Sequence, residues 1–368
     1  MSKLKKVLIV LNDTGRGGAE TQALYLAKGL IANGYTIAVL SFGSKKGPYW
    51  DDFESLGIEM NLTHFNSKLL VQTTTFSSKI NAIWFALKFI RLLRKINADV
   101  IIPFTYFPNV TAGMYWRFTK AKICFWNQRD GGIMFNGTTK EVSALENATI
   151  IVSNSLEGSL FLEKYTNRTI SIIHNGIVLP DFKKVKQSSK IRVVMVANLS
   201  SYKNHIELLK SWKIVTASSA KDRIELFLAG TDGDASKSIT DYIVTNELID
   251  SVHCLGMISN VSELLASSDI GVFSSIKEGL PNGILECMAA GLPVIATKIN
   301  GSLESLGADY PFLVEPYDVD NFARMLSQLI EDSELRVKIG KQNRKRIEEH
   351  FQMEQMVSKY VGLINSKV

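Results

Sequence analysis

Residues 269–297 read "DIGVFSSIKEGLPNGILECMAAGLPVIAT". A short apolar run rich in β-strand formers leads into a turn of glycine and proline. The chain then has a helical pattern until Gly291 and closes with a second short apolar run, "PVIAT". Strand, turn, helix and strand make one βαβ unit, and strands that are apolar throughout belong to a parallel sheet covered on both faces. Pro281 fits the first helical position, where its missing N–H costs nothing. Glu278 stands before the turn and Glu286 about one turn into the helix, so two carboxylates bracket the amides of the turn.

The same alternation runs from end to end. In the first half the expected strands are "KVLIVL", "TIAVLSF", "DVIIPF", "KICFW", "TIIVSN" and "SIIHNG". Helices such as "AETQALYLAKGLIANG" separate them, with apolar residues at 23, 24, 26, 27 and 30. The second half restarts with "IRVVMVAN", "IELFLAG", "SVHCLG", "DIGVFSS" and "PVIAT". The polar segment 180–190, "PDFKKVKQSSK", has the composition of a linker. A chain of 368 residues suits two domains. The fold class expected is therefore α/β, with two doubly wound parallel-sheet (Rossmann-like) domains facing a cleft, where ligands bind beyond the carboxyl ends of the strands.

No apolar run approaches the roughly 18–20 residues that span a bilayer. The opening "MSKLKKVLIVLND" resembles a signal peptide, but its apolar run stops at Asn12-Asp13, and a buried first strand is the better reading. Cys124, Cys254 and Cys287 lie far apart among apolar neighbours and are expected as buried free thiols in a reducing cytoplasm. The net charge of +6 is uneven: residues 1–178 hold 20 Lys/Arg against 12 Asp/Glu, and the remainder 22 against 24. A basic first half suits phosphate groups or a membrane surface; nucleic acid is disfavoured, because no basic and aromatic reading motif is present.

Three loops can carry chemistry. In "NDTGRGGAETQALYL", residues 12–26, Gly15, Gly17 and Gly18 can present amides at a helix N-terminus to a phosphate, or form a plain tight turn. As a dinucleotide fingerprint it fails: Glu20 replaces the third small residue, and the second strand ends without an acidic residue for a ribose. In "VANLSSYKNHIELLKSW", residues 196–212, Lys203 precedes a helix. It reads either as a solvated lysine or as a cation that neutralises a departing diphosphate. The third loop is the 278–286 turn. Glu286 can accept two hydroxyl hydrogen bonds, as a ribose diol offers. A glycosidase carboxylate pair is the competing reading, but such a pair needs neither glycine-rich amides nor a nearby lysine.

Together these loops resemble glycosyltransferase family 4, the retaining GT-B enzymes with nucleotide-sugar donors. Glu278 to Glu286 matches the family's E-x7-E motif. "GGAE" at 17–20, "HNGI" at 174–177, "VANLSSYKNH" at 196–205 and "LGMISNVSELLASSDIGVFSS" at 255–275 fit in order. The resemblance implies an acceptor-side domain over 1–178, a donor domain over 179–345 and a helix over 346–368 returning to the first domain, with Phe351, Met356 and Tyr360 as its anchors. It assigns the ribose to Glu286, and the donor sugar to Glu278 with the turn Gly279, Leu280, Pro281 and Asn282, in which every residue but Pro281 has an amide N–H. Gly17, Gly18 and Lys203 would surround the diphosphate, and the base would rest on Met257 and Ile258. In two places the chain departs from the family pattern. Asn198 stands where an arginine commonly pairs with Lys203 on the diphosphate. The loop after "KICFWNQRDGG" lacks the usual histidine, and Arg129 is its nearest polar substitute.

The function expected is transfer of a sugar, with retention, from a nucleotide diphosphate to a hydroxyl of a glycan or lipid-linked acceptor in bacterial surface polysaccharide synthesis. UDP is favoured over GDP, and neither a cofactor nor a protein partner is expected. The alternatives are a GT-B nucleotide-sugar epimerase and a non-catalytic sugar-nucleotide binder. "TDGD" at 231–234 and "DVD" at 318–320 imitate metal motifs. The first sits where the family has a glycine loop and the second precedes a helix that Asp320 would cap, so no metal is expected. His174, His205 and His253 read as satisfied structural histidines. The aromatic segments 104–118 and 125–135 follow first-domain strands and serve either as core or as an acceptor lining. Residues 79–96, "KINAIWFALKFIRLLRKI", form a helix with a broad apolar face and a polar stripe of Asn81, Lys88, Arg91 and Lys95. Packing of that face on the sheet is the reading taken. The basic first half leaves peripheral contact with the inner face of a membrane as the other.

Overall fold

The protein is described by a computed structural model that covers residues 6–72, 76–179, 189–217 and 221–367. Most of the expected linker, residues 180–188, lies outside the described residues. The chain divides into two units, Met1–Gly176 with Met353–Val368, and Ile177–Gln352.

The first unit holds a parallel sheet of seven strands: β1 Lys6–Leu11, β2 Thr36–Ser41, β3 Glu59–Leu62, β4 Val100–Pro103, β5 Ile123–Gln128, β6 Ile150–Ser153 and β7 Ile170–Ile172. Their order is β3-β2-β1-β4-β5-β6-β7. The central strands are buried along their whole length, as continuous apolar runs require. The second unit holds six: β8 Ile191–Val196, β9 Ile224–Ala229, β10 Val252–Gly256, β11 Ile270–Phe273, β12 Val294–Thr297 and β13 Leu313–Val314. Their order, β10-β9-β8-β11-β12-β13, is again that of a doubly wound sheet. Two strands escape the sequence pattern, β3 and β13, and both are sheet edges. The first is only half buried and the second has two residues, so neither carries a fully apolar run.

The C-terminal segment differs in detail from expectation. Residue 346 falls inside the helix Ser333–His350, and the return to the first unit begins at Met353. Met356 and Tyr360 of the helix Met353–Asn365 enter the first unit's core, whereas Phe351 belongs to the core of the second. A β-carbon on Gly29 would stand 2.2 Å from a Val357 methyl, so glycine lets the helix Gly18–Ala32 lie directly against the last helix. The Gln22 amide closes this corner by exchanging two hydrogen bonds with the Gly176 backbone, at 2.9 and 2.8 Å.

The helix Phe76–Ile96 satisfies the packed reading on one face only. Ala86, Phe89, Leu93 and Ile96 are buried, and Phe89 stacks on Phe42 at 5.5 Å. Ile80, Ile83, Trp84 and Leu87 face solvent. Cys254 is also a correction: it is exposed, because β10 is an edge strand whose end projects beyond the core, while Cys124 and Cys287 are buried.

Candidate functional site

In the second sheet the chain leaves β8 for β9 on one side, and β11 leads to β12 on the other. The loops after β8 and β11 therefore diverge, and the crevice they leave lies at the carboxyl ends of the strands. Both sequence-predicted elements fall here.

The turn after β11 is fixed by close backbone approach. A β-carbon on Gly283 would come within 2.4 Å of the Val196 carbonyl oxygen and 2.7 Å of the Phe273 ring. Only glycine lets the helix Asn282–Ala289 start directly on the end of β8. On the other side, a β-carbon on Gly301 would meet the Gly279 carbonyl oxygen at 2.4 Å. Pro281 is the residue before the helix and not its first, with an extended backbone, and Gly291 takes a left-handed conformation just past the helix end. Gly279, Leu280 and Pro281 are buried.

The loop after β8 is stitched to this turn. The Ile276 amide donates to the Tyr202 carbonyl at 2.9 Å, and the Ser274 hydroxyl donates to the Lys203 carbonyl at 3.0 Å. Lys203 ends a short 3-10 turn, and Asn204 after it adopts a left-handed conformation that starts the next helix. The Lys203 ammonium is paired with the Glu278 carboxylate, and the Ser275 hydroxyl donates to the same oxygen at 2.8 Å. Both charged side chains are mostly sequestered, at 15% and 11% exposure, so the pair is held and not freely solvated. The Thr297 hydroxyl donates to the Ser275 carbonyl and fixes that residue in turn. Ser275 was not among the expected site residues. Its only signal is its place as one of two serines where the apolar strand stops.

Glu286 is half buried, and among the described residues its carboxylate has no ion pair or hydrogen-bond partner. Burial alone pushes its pKa up to about 7. A carboxylate placed thus without partners can be satisfied by hydroxyl donors from outside the protein. Asn198 is exposed, and its side-chain oxygen accepts from the Thr231 amide at 3.4 Å. Met257 is exposed and Ile258 half buried; both follow β10, whose end is joined to the loop after β9 by the Gly230 amide donating to the Gly256 carbonyl at 3.0 Å.

His205 departs from the expectation of a satisfied histidine. It is 1% exposed, yet neither ring nitrogen has a hydrogen-bond partner among the described residues. Burial first, then the Lys203 charge, lowers its pKa to about 4, so the ring is neutral at pH 7. The two acidic decoys have structural duties. The Asp234 carboxylate accepts from the Ser201 amide at 2.8 Å and fixes the Lys203 loop; the Ser201 hydroxyl first, and then this amide, lower its pKa. The cap of the helix Val319–Glu331 is Asp318, accepting from the Asn321 amide at 3.1 Å, and not Asp320, which lies in the first turn.

The remaining predicted residues belong to the first unit. Gly17 precedes the helix Gly18–Ala32 with an extended backbone, and Glu20 folds back over it: a β-carbon on Gly17 would stand 2.4 Å from the Glu20 carboxylate. Burial, opposed in part by Arg129, raises the Glu20 pKa to about 7. Arg129 follows β5 and donates to the Asn175 side-chain oxygen at 2.6 Å while lying 5.2 Å from the Phe104 ring. Its Nε and Nη1 are buried and have no hydrogen-bond partner among the described residues. Burial lowers its pKa, opposed by the neighbouring Tyr360 hydroxyl and the Glu20 carboxyl.

Comparison with known proteins gives this geometry its class. Residues 16–179 match the family described as Glycosyltransferase Family 4, and residues 180–346 match Glycosyl transferases group 1. The chain belongs to glycosyltransferase family 4 and is a glycosyltransferase of GT-B fold. It is 24% identical over 369 residues to an uncharacterized glycosyltransferase of Haemophilus influenzae, covering 98% of this chain and all of that one. It is 26% identical to the UDP-Gal:alpha-D-GlcNAc-diphosphoundecaprenol alpha-1,3-galactosyltransferase of Escherichia coli, over 54% of this chain and 55% of that protein. The crystal structure of Anabaena Alr3699/HepE in complex with UDP and glucose superposes with a TM-score of 0.82 at 18% identity, over 99% of this chain and 100% of that one.

Proposed function

We propose that the chain is a retaining enzyme that moves a sugar from UDP to a hydroxyl of a glycan or lipid-linked acceptor in surface polysaccharide synthesis. The observation that carries this reading is the sequestered Lys203–Glu278 pair beside a glycine-rich turn, at the point where the second sheet changes winding direction. The likeness to a UDP-bound structure and to an enzyme whose name specifies UDP-Gal and a diphosphoundecaprenol-linked acceptor supports the donor and acceptor classes.

Glu286 accepts the two ribose hydroxyls, donors that its carboxylate does not find among the described residues. The base rests on Met257 and Ile258. The Lys203 ammonium and the turn amides face the diphosphate and absorb negative charge as the bond from sugar C1 to oxygen breaks. Such preorganised donors carry the largest part of catalysis when charge develops on a leaving group. Glu278 aims Lys203 and accepts from sugar hydroxyls with its remaining lone pairs. The family resemblance assigns Gly17 and Gly18, and Arg129 in place of the usual histidine, to the same reaction. Asn198 cannot supply the second positive charge that an arginine would; it anchors the loop after β9 instead. Among the described residues of this site no side chain is an evident covalent nucleophile, so the reading has departure and attack on the same face, with donor and acceptor held together.

A thermal-shift panel of UDP-, GDP- and dTDP-sugars followed by a transfer assay tests this. Stabilisation by UDP-sugars, together with labelled sugar appearing on an acceptor with its anomeric configuration kept, is the expected result. Stabilisation only by GDP-sugars, an inverted product, or an epimerised donor without transfer would each refute it.

A further inference from the structure

The helix Phe76–Ile96 carries an outward stripe that neither the core nor the proposed reaction uses. Ile80, Ile83, Trp84 and Leu87 recur at helical spacing, and all four are exposed, Trp84 at 68% and Ile83 at 62%. The same stripe continues as Lys88, Arg91, Arg94 and Lys95, also exposed. Two apolar turns are thus followed by two cationic ones. Arg94 donates to the Phe118 carbonyl at 2.7 Å, which brings the exposed Phe118, with Arg117 and Lys120 beside it, to the basic end.

Charge along the chain is as one-sided as the helix. From residue 60 to residue 129 there are ten Lys/Arg and a single acid, Asp99. That one carboxylate is turned to the sheet, accepting from the Lys6 amide at 3.0 Å. Among the described residues, Lys88, Arg91, Arg94, Arg117 and Lys120 form no ion pair with a carboxylate. An apolar patch of this kind would be covered in a complex; Lys95 lies near enough to the Glu59 carboxylate to lower its pKa, while the rest of the basic border is unneutralised and selects a negative partner. A second copy docked symmetrically would set these cations against one another. No helix among the described residues is long and apolar enough to cross a membrane.

We infer that this face docks on an anionic bilayer surface, with Ile80, Ile83, Trp84 and Leu87 entering the interface and Arg91, Arg94, Lys95 and Arg117 meeting lipid headgroups. Helices lie in membrane surfaces through this combination of a modest apolar wedge and a cationic border, and neither half suffices alone. The inference stands apart from the donor chemistry and does not depend on which acceptor is used.

Vesicle flotation tests it on the full chain, with phosphatidylcholine alone and with an equimolar mixture of phosphatidylcholine and phosphatidylglycerol. The native protein should float with the mixed vesicles and hardly with the neutral ones. Ile83→Ser with Trp84→Ser, and separately Arg91→Glu with Lys95→Glu, should each lower the floated fraction tenfold or more. Both variants alter exposed side chains, so melting temperature and the thermal shift with UDP-sugar should stay unchanged, which separates this idea from the proposed function. Trp84 is the exposed tryptophan of the described set, so mixed vesicles should shift the native emission to the blue and Trp84→Phe should abolish that shift. Native protein that stays unbound with mixed vesicles, variants that float as well as native protein, or a dimer that dissociates on Trp84→Ser would overturn the inference.

Discussion

Replacing Glu286 with glutamine should stabilise the protein above neutral pH and at the same time cripple donor binding. Burial raises this carboxyl from 4.5 to about 7. In the unfolded chain it ionises near 4.5, so between pH 4.5 and 7 the unfolded state loses a proton that the folded state keeps, and stability falls as pH rises. Above about pH 7 the loss is complete and constant. At about 1.4 kcal/mol per pKa unit the ceiling is about 3 kcal/mol. Glu286 keeps some solvent contact, so screening brings the expected penalty to about 1–2 kcal/mol. For a unit of this size a kcal/mol moves the midpoint by roughly 2–4 °C. Glu286→Gln should therefore melt about 2–8 °C above the native protein at pH 8, with the difference shrinking to nothing near pH 4.5. The same carboxylate, once ionised, accepts two ribose hydroxyls, and charged hydrogen bonds of this kind contribute about 1.5–3 kcal/mol each. Glutamine should cost at least about tenfold in UDP-sugar affinity. The native protein should bind more weakly as pH falls below 7, and the variant should show no such trend. Scanning calorimetry across pH and calorimetric titration with UDP-sugar read both effects. A melting difference that is the same at pH 5 and pH 8 would refute the desolvated carboxylate. Equal affinity in the two proteins would refute the ribose clamp.

Lys203→Ala should lower turnover by about 10²–10³, the cost of one donor aimed at a developing anion, with a smaller change in KM; steady-state kinetics over donor concentration separates the two. Arg129→Ala should reduce turnover at least severalfold while leaving the fold intact by circular dichroism, and near-normal rates would remove Arg129 from the mechanism. Gly283→Ala forces a β-carbon to within 2.4 Å of the Val196 carbonyl oxygen. It should destabilise the second unit by about 1–3 kcal/mol, measured as a lower denaturation midpoint and accompanied by weaker donor binding.

The sequence carried the sheet cores because strands buried on both faces must be apolar throughout, as the buried runs of β4, β6 and β12 show. It could not carry β3 or β13, whose edge positions relax that demand. Site elements were legible where backbone geometry dictates residue type. Gly283 and Gly301 are forced by close approach, and the Glu278–Glu286 spacing follows from one turn and the start of one helix. What stayed hidden depends on tertiary partners. Nothing local says that Ser275 holds Glu278, that Asp318 and not Asp320 caps its helix, or that His205 is buried with no hydrogen-bond partner among the described residues. The helix Phe76–Ile96 shows the same limit: its periodicity gives an amphipathic helix but does not tell which apolar positions the sheet will cover.

A crystal structure of the protein with an intact UDP-sugar analogue would locate the donor outright. The diphosphate should lie within hydrogen-bonding distance of the Lys203 ammonium and the Gly279, Leu280 and Asn282 amides, with both ribose hydroxyls on Glu286. A diphosphate bound away from Lys203 and that turn, or a ribose that leaves Glu286 untouched, would contradict this.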